Sequence, residues 1–311
     1  MPSGLYFEVE HWRGNDFWGI HGHGADHRGV HLGLSPTGLF DEPVETLWNS
    51  TAFQIGATPG GYRIHKRDLI LPFEIVNTPE ASWQRNDSNF RKAFSYEFDS
   101  KLWCRTDDWG SRWLDLRLNR EPEFAPDQDP FDKQYGHVVY SLTAGYPRWR
   151  EHDVTDQWVS STDTSDGLSW AEGTVTVSNP TDTEMWLMWV LQAYPGAVYK
   201  LPDFSFGDNR FFLGEAHEDR VITMPALIAG EHLRVNTDEE QDQVRSDIDT
   251  QVYQRMRGIR FLYPIPPYLG TMNHPDIKTP VELPVAVKGA PAGVGVQVRC
   301  PRNWSRPWGL D

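Results

Sequence analysis

Cysteine is nearly missing from this chain of 311 residues. The two present, Cys104 and Cys300, lie in different halves and share no metal-type spacing, which excludes a disulfide framework and a cysteine-ligated metal site. Folding in a reducing cytoplasm is the expectation. Long apolar runs are missing too. The longest, MWLMWVL from Met185 to Leu191, is far too short to span a bilayer, so no membrane segment is expected. The opening MPSGLYFEVEHWRG carries acidic residues where a secretion signal needs a basic flank and an apolar core, and a soluble, unsecreted protein is expected. Positive charge is scarce. Lys+Arg number 29 against 44 Asp+Glu, a net charge of −15. Gripping nucleic acid requires clustered Lys and Arg, so that class is excluded, and a surface that must not stick to DNA is suited instead. No HExxH, GxSxG or phosphate-loop GK[ST] ending occurs.

Bulky aromatic residues are abundant: 14 Trp, 15 Phe and 11 Tyr. With 26 Gly and 23 Pro interrupting them, the expected class is mainly β, short strands joined by turns. Strands are expected at LYFEVEHW, GVHLG, AFQIGAT, DLILPFEIV, KLWCRT, WLDLRL and HVVYSLTAGYPRW. Pro72 should put DLILPFEIV at a sheet edge or beside a bulge. In NDSNFRKAFSYEF, Asp87 or Ser88 can cap a short helix on which Phe90, Ala93, Phe94 and Phe98 share a face. EHDVTDQWVSSTDTSDG is polar and turn-rich, placing a domain boundary near residue 155 and dividing the chain into 1–155 and 156–311. The second half offers GTVTVSN, EMWLMWVLQAYPGA, RFFLG, RVITM, HLRVNT, GIRFLYPIPP, PVELPVAV and GVGVQVRC, a pattern suited to a β-sandwich. Thr237 and Glu240 have capping-box spacing, Val244, Ile248 and Val252 fall on one stripe, and Gly258 can stop a helix, so residues 238–257 read as helix or hairpin.

HGHGADHRG, His21 to Gly29, is the strongest chemical cluster. On a strand His21 and His23 would face one way, and His27 or Asp26 could supply a third ligand, as catalytic zinc requires. His11 and His31 lie close on either side. The alternative is a glycine-rich loop whose imidazoles hydrogen-bond to backbone or water, and this is the reading preferred: no catalytic residue, no metal, no cofactor. Asp127, Asp129 and Asp132 suggest calcium, but Phe131 stands where an EF-hand needs an oxygen ligand. HKR, residues 65–67, reads as a salt-bridging turn. Exposed tryptophans can stack on sugars, although Trp186 and Trp189 read as core. Trp304 and Trp308 flank the proline of NWSRPWGL and could dock the chain's end on another surface.

Taken in order, NDFWGIHGHGADHRGVHLGLSPTGLFDEPVETLW, AFQIGATPGGYRIHKRDLILPFEI, SWQRNDSNFRKAF, GSRWLDLRLNREPE followed by Asp129-Pro130, and AGYPRW resemble the distal tail proteins of siphophages that infect actinobacteria. RFLYPIPP, ELPVAVKGAPAG and RNWSRPWGL resemble the same family's second half. The resemblance implies an N-terminal belt domain over 1–155 that closes into a homo-hexameric ring, then a galectin-like β-sandwich over 156–311. Whether the stretch from about residue 299 packs back on the first domain stays open. It implies a non-enzymatic virion protein at the tail tip, assembled in the host cytoplasm, that joins tail tube protein to hub protein while DNA passes through the lumen without specific binding. A module binding host cell-wall glycan is the alternative, and a metal-dependent hydrolase using the His21–His31 cluster a lesser one. The family does not require those histidines.

Overall fold

A computed structural model describes residues 4–23, 25, 27–126 and 128–310. They form two compact units. Unit 1 runs to Glu151 and takes in Trp304–Leu310, and unit 2 is His152–Asn303. Strand makes up 40% and helix 6%, so the mainly β class expected from the composition is the class observed.

Unit 1 contains β1 (Leu5–Glu10), β2 (Phe17–His21), β3 (Val30–Leu32), β4 (Val44–Asn49), β5 (Thr58–Ile64), β6 (Arg67–Val76), α1 (Trp83–Arg91), β7 (Ser100–Thr106), β8 (Gly110–Leu118), β9 (Glu123–Phe124), α2 (Pro130–Lys133), β10 (Tyr135–Ala144) and the start of β11 (Trp149–Val159). Pairing runs β2-β1-β7-β8-β10-β6-β3, all antiparallel. Alternation explains it: Val138, Tyr140, Leu142 and Ala144 of β10 are buried while their neighbours are half-buried. The core is aromatic at its centre. Phe90 of α1 meets Trp18, Phe73, Phe94 and Tyr140 with ring centroids 4.8 to 5.7 Å apart.

Several expectations for this unit need correction. The helix begins at Trp83 behind Ser82, and Asp87 lies inside it holding Arg91 at 2.8 Å. Phe98 is exposed, stacked on Trp12 instead of facing the core. A second, one-turn helix, α2, is capped by Asp129, whose side chain accepts from the Phe131 amide at 2.9 Å. AFQIGAT is not a strand but the tip between β4 and β5. β6 is no edge strand either. It pairs with β10 along its whole length, and with β3 over Phe73–Ile75. Pro72 is tolerated because β3 leaves at Leu32 and the chain bridges β6 again only at Thr37 to Ile70.

Unit 2 begins within β11, so the stretch expected as a polar boundary loop is mostly strand. It continues with β12 (Ala171–Val177), β13 (Met188–Leu191), β14 (Val198–Pro202), β15 (Val221–Thr223), β16 (Leu233–Asn236), β17 (Val244–Ser246), α3 (Val252–Arg255), β18 (Val281–Lys288) and β19 (Gly295–Trp304). One sheet has the order β17-β16-β13-β19-β11 and the other β12-β18-β14-β15. Trp189, Leu191, Leu233, Val235, Val296 and Val298 from the first share one buried cluster with Val175, Tyr199, Leu201, Ile222, Leu283 and Val285 from the second. That is a β-sandwich.

Residues 238–257 hold no long helix. Val244 pairs with Val235 in β17, and only Val252–Arg255 make a helical turn. Thr237 is buried and its carbonyl accepts from the Gln243 side chain, so the capping-box spacing at Thr237 and Glu240 is coincidental. RFFLG is turn, with Phe212 exposed, and GIRFLYPIPP is irregular although Phe261, Tyr263 and Ile265 are buried. Trp189 is core as expected, while Trp186 is half-buried with Arg210 5.9 Å from its ring.

Candidate functional site

The histidine loop is built by the end of β2. The strand stops at His21 because Gly22 adopts φ +79°, so the two-residue periodicity that would align His21 with His23 does not reach His23. His21 lies 6.1 Å from the Phe7 ring and His23 is edge-on to Tyr6 at 6.4 Å. His21, His23 and His27 are exposed. Asp26, the other candidate for a third ligand, and Asp127 of the acidic loop lie outside the described residues. Among the described residues no three His, Cys, Asp or Glu side chains come together as a metal-holding group. The loop is anchored by its neighbours: Arg28 bonds Asp16 at 2.6 Å and lies 4.0 Å over the Trp18 ring. Gly29 approaches the Val76 carbonyl so closely that a Cβ would sit 2.4 Å from it. His11 accepts from the Arg13 amide, and burial lowers its pKa.

A different element of unit 1 has the form of a contact site. β4 and β5 pair only with each other, from Val44 opposite Ile64 to Asn49 opposite Thr58. All six residues of β4 are exposed, as are the first six of β5. Several of their side chains are apolar nonetheless. Val44, Leu47, Trp48 and Tyr62 flank the hairpin, and Phe53 and Ile55 at the tip are 105% and 103% exposed. An isolated two-stranded hairpin is marginal in water, and burying each such side chain is worth about 1.5–3 kcal/mol. The free energy thus favours covering this element. Its base is fixed: the His65 amide donates to the Pro43 carbonyl at 2.9 Å, and the His65 ring pairs with Glu45 at 2.7 Å. In the HKR turn Lys66 is salt-bridged to Asp68 and His65 is hydrogen-bonded to Glu45, but Arg67 is buried. Sequence reading missed this hairpin. The signal was weak: VETLWN carries no clear alternation, and TPGG, which reads as a turn, begins β5.

In unit 2, the outer face of β12-β18-β14-β15 carries a groove of about 660 Å³. Glu172, Lys200, Thr223 and Pro284 line it over a floor that includes Ala286. Lys200 also sits 4.3 Å over the Trp170 ring, with Lys288 4.8 Å over the same ring.

No family model matches the chain. Over 91% of its length it is 29% identical to minor tail protein Gp27 of Mycobacterium phage L5, and equally to Gp27 of Mycobacterium phage D29, covering 93% of each relative. The chain resembles a phage minor tail protein. The resemblance read from the motif order is therefore the one the comparison returns. Among solved structures, the Dit protein (gp 19.1) of phage SPP1, described as a paradigm of the hub adsorption apparatus in phages infecting Gram-positive hosts, aligns with a TM-score of 0.55 at 10% identity. That alignment covers 96% of this chain and 98% of that one. A chain of the phage P2 baseplate aligns with a TM-score of 0.50 at 11% identity, covering 97% and 98%. At such identities the likeness is one of fold, and it spans both units. A structural tail protein with a baseplate-hub-like fold is the description these comparisons carry.

Proposed function

We propose that the chain closes with copies of itself into a hexameric ring at the distal end of a long non-contractile tail, joining tube to hub and leaving a bore through which DNA passes. The carrying observation is the β4–β5 hairpin, which presents Trp48, Phe53, Ile55 and Tyr62 to solvent with no other element of unit 1 paired to it. A second copy supplies the missing cover, and a contact between unlike patches repeats until rotation closes it. The net charge of −15 suits the bore, because acidic walls repel phosphate and let a duplex slide. The role is architectural and needs no catalytic group, metal or cofactor. Assembly takes place in the host cytoplasm, and the protein ends in the virion at the tail tip, between the tail tube protein and the hub protein. Negative-stain imaging and mass measurement of the purified chain test the ring: six-membered closed particles are expected, and a monomer at high micromolar concentration refutes it.

A second reading, compatible with the first, is contact with cell-wall glycan through unit 2. The groove on the outer face of β12-β18-β14-β15 favours it, since Lys200, Glu172 and Thr223 in its lining offer hydrogen bonds to a sugar. Pulldown with purified cell wall by the intact protein tests this. Binding lost on Glu172→Ala with Thr223→Ala is expected, and no binding by the unaltered protein removes the reading.

A further inference from the structure

Two arginines of unit 1, Arg67 and Arg112, are each only 1% exposed. A guanidinium at that depth must have its donors matched, or the desolvation cost is large. Arg67 is matched by backbone carbonyls: Pro147 at 2.6 Å, Gly38 and Phe40 at 3.0 Å, Asp41 at 3.1 Å and Ser305 at 2.9 Å. Arg112 donates to the carbonyls of Arg306 at 3.0 Å and Gly309 at 3.1 Å, and its guanidinium stacks 3.6 Å from the centroid of Trp304. Three of these acceptors and the stacking ring come from one short segment, residues 304–310. The same segment inserts Trp304 into the core, where its indole nitrogen donates to Glu151 at 2.9 Å. It also sets Trp308 against Phe40 at 4.9 Å and Phe7 at 6.4 Å. The rest of unit 1 ends at Glu151, so the whole of unit 2 is synthesised before the segment exists.

We propose that residues 304–310 act as a completion latch: unit 1 becomes competent to associate only when this segment seats on Arg67 and Arg112, so a chain not yet synthesised past Trp304 stays out of the assembly. The latch stands on unit 1 alone. Only its consequence for association rests on the ring reading above. Until the segment arrives, Phe40 lacks the Trp308 ring, Arg67 lacks the Ser305 carbonyl, and Arg112 lacks the Arg306 and Gly309 carbonyls and the Trp304 ring, which leaves β8 poorly held. Early chains thereby avoid capturing one another through an exposed apolar hairpin while unit 2 is unfinished. The seat recognises a peptide bent over residues 305–308 with two indoles four residues apart, and it reads backbone oxygens, which any source of that peptide supplies.

The test is amide hydrogen exchange on the full chain carrying Trp304→Ala and Trp308→Ala, read separately for β6 and β10 of unit 1 and for β12 and β18 of unit 2. Exchange at least about a hundredfold faster in unit 1, with unit 2 unchanged, is expected. A chain ending at Asn303 should behave likewise, and a synthetic peptide of residues 304–310 added in trans should restore protection. Unit 1 protection equal to that of the unaltered chain in the double variant overturns the latch. So does loss shared equally by both units, or loss that the peptide leaves unreversed. If the unaltered chain proves monomeric, the ring reading falls while the exchange data still decide the latch.

Discussion

The indole nitrogen of Trp158 occupies the space beside Gly173 so fully that a β-carbon there would lie 1.9 Å from it. Trp158 packs against the core of unit 2, and Gly173 lies on β12 opposite Val285 of β18. Glycine at 173 is thus a packing requirement with ordinary backbone geometry. Gly173→Ala should destabilise unit 2 by about 1–3 kcal/mol, because the half-buried Trp158 ring, packed against the core, must move. Thermal unfolding checks it, and adding Trp158→Phe should return part of the loss.

The hairpin separates stability from association. Phe53→Ser with Ile55→Ser removes two exposed side chains, so the melting temperature should shift by no more than the equivalent of about 0.5 kcal/mol. Self-association, measured by light scattering or sedimentation, should fall sharply in the same variant. An unchanged particle mass would assign the contact to another surface.

Acid should loosen unit 2 through Glu231. Burial pushes this carboxyl up, but hydrogen bonds from Thr250, from the Ile228 amide and from Arg255 outweigh that and hold it below its ordinary value of 4.5. A carboxyl depressed in the folded state contributes stability in full above its unfolded pKa, and the contribution disappears as pH falls through the folded one. Melting measured from pH 7 down to pH 3 should show a decline beginning near the ordinary value. Glu231→Gln should be less stable at pH 7 and show a shallower decline.

The two thiols should be inert in the folded protein. Burial raises both Cys104 and Cys300 to about 12, against partial opposition from Arg112 and Arg302 respectively. At pH 8 that leaves about one thiolate in ten thousand. A thiol reagent should therefore modify neither in the native state and both in denaturant, and rapid labelling of either one under native conditions would contradict the packing.

Much of the β framework was legible because alternation survives in the sequence. LYFEVEHW, KLWCRT, WLDLRL, GTVTVSN, PVELPVAV and GVGVQVRC all contain the strands expected of them. Three of the failures share one cause. AFQIGAT, RFFLG and GIRFLYPIPP are as apolar as those strands, yet the first is a hairpin tip, the second a turn and the third a buried irregular stretch. Local composition reports how much a segment gains from burial, and says nothing of which neighbour provides it. The histidine cluster drew attention because its residue types are chemically marked, whereas the hairpin is marked only by the absence of a partner, which is a property of three dimensions.

Composition and pattern alone determined that the chain is mainly β, strongly acidic and without paired cysteines, and the order of its motifs carried the likeness to tail proteins. Tertiary structure alone decided that Arg67 leaves its salt-bridging turn for the interior, and that Trp304 meets Arg112 from the far end of the chain. The acceptors that hold both cations are peptide carbonyls. Every residue carries one, so no choice of amino acid in the sequence marks which of them will be used.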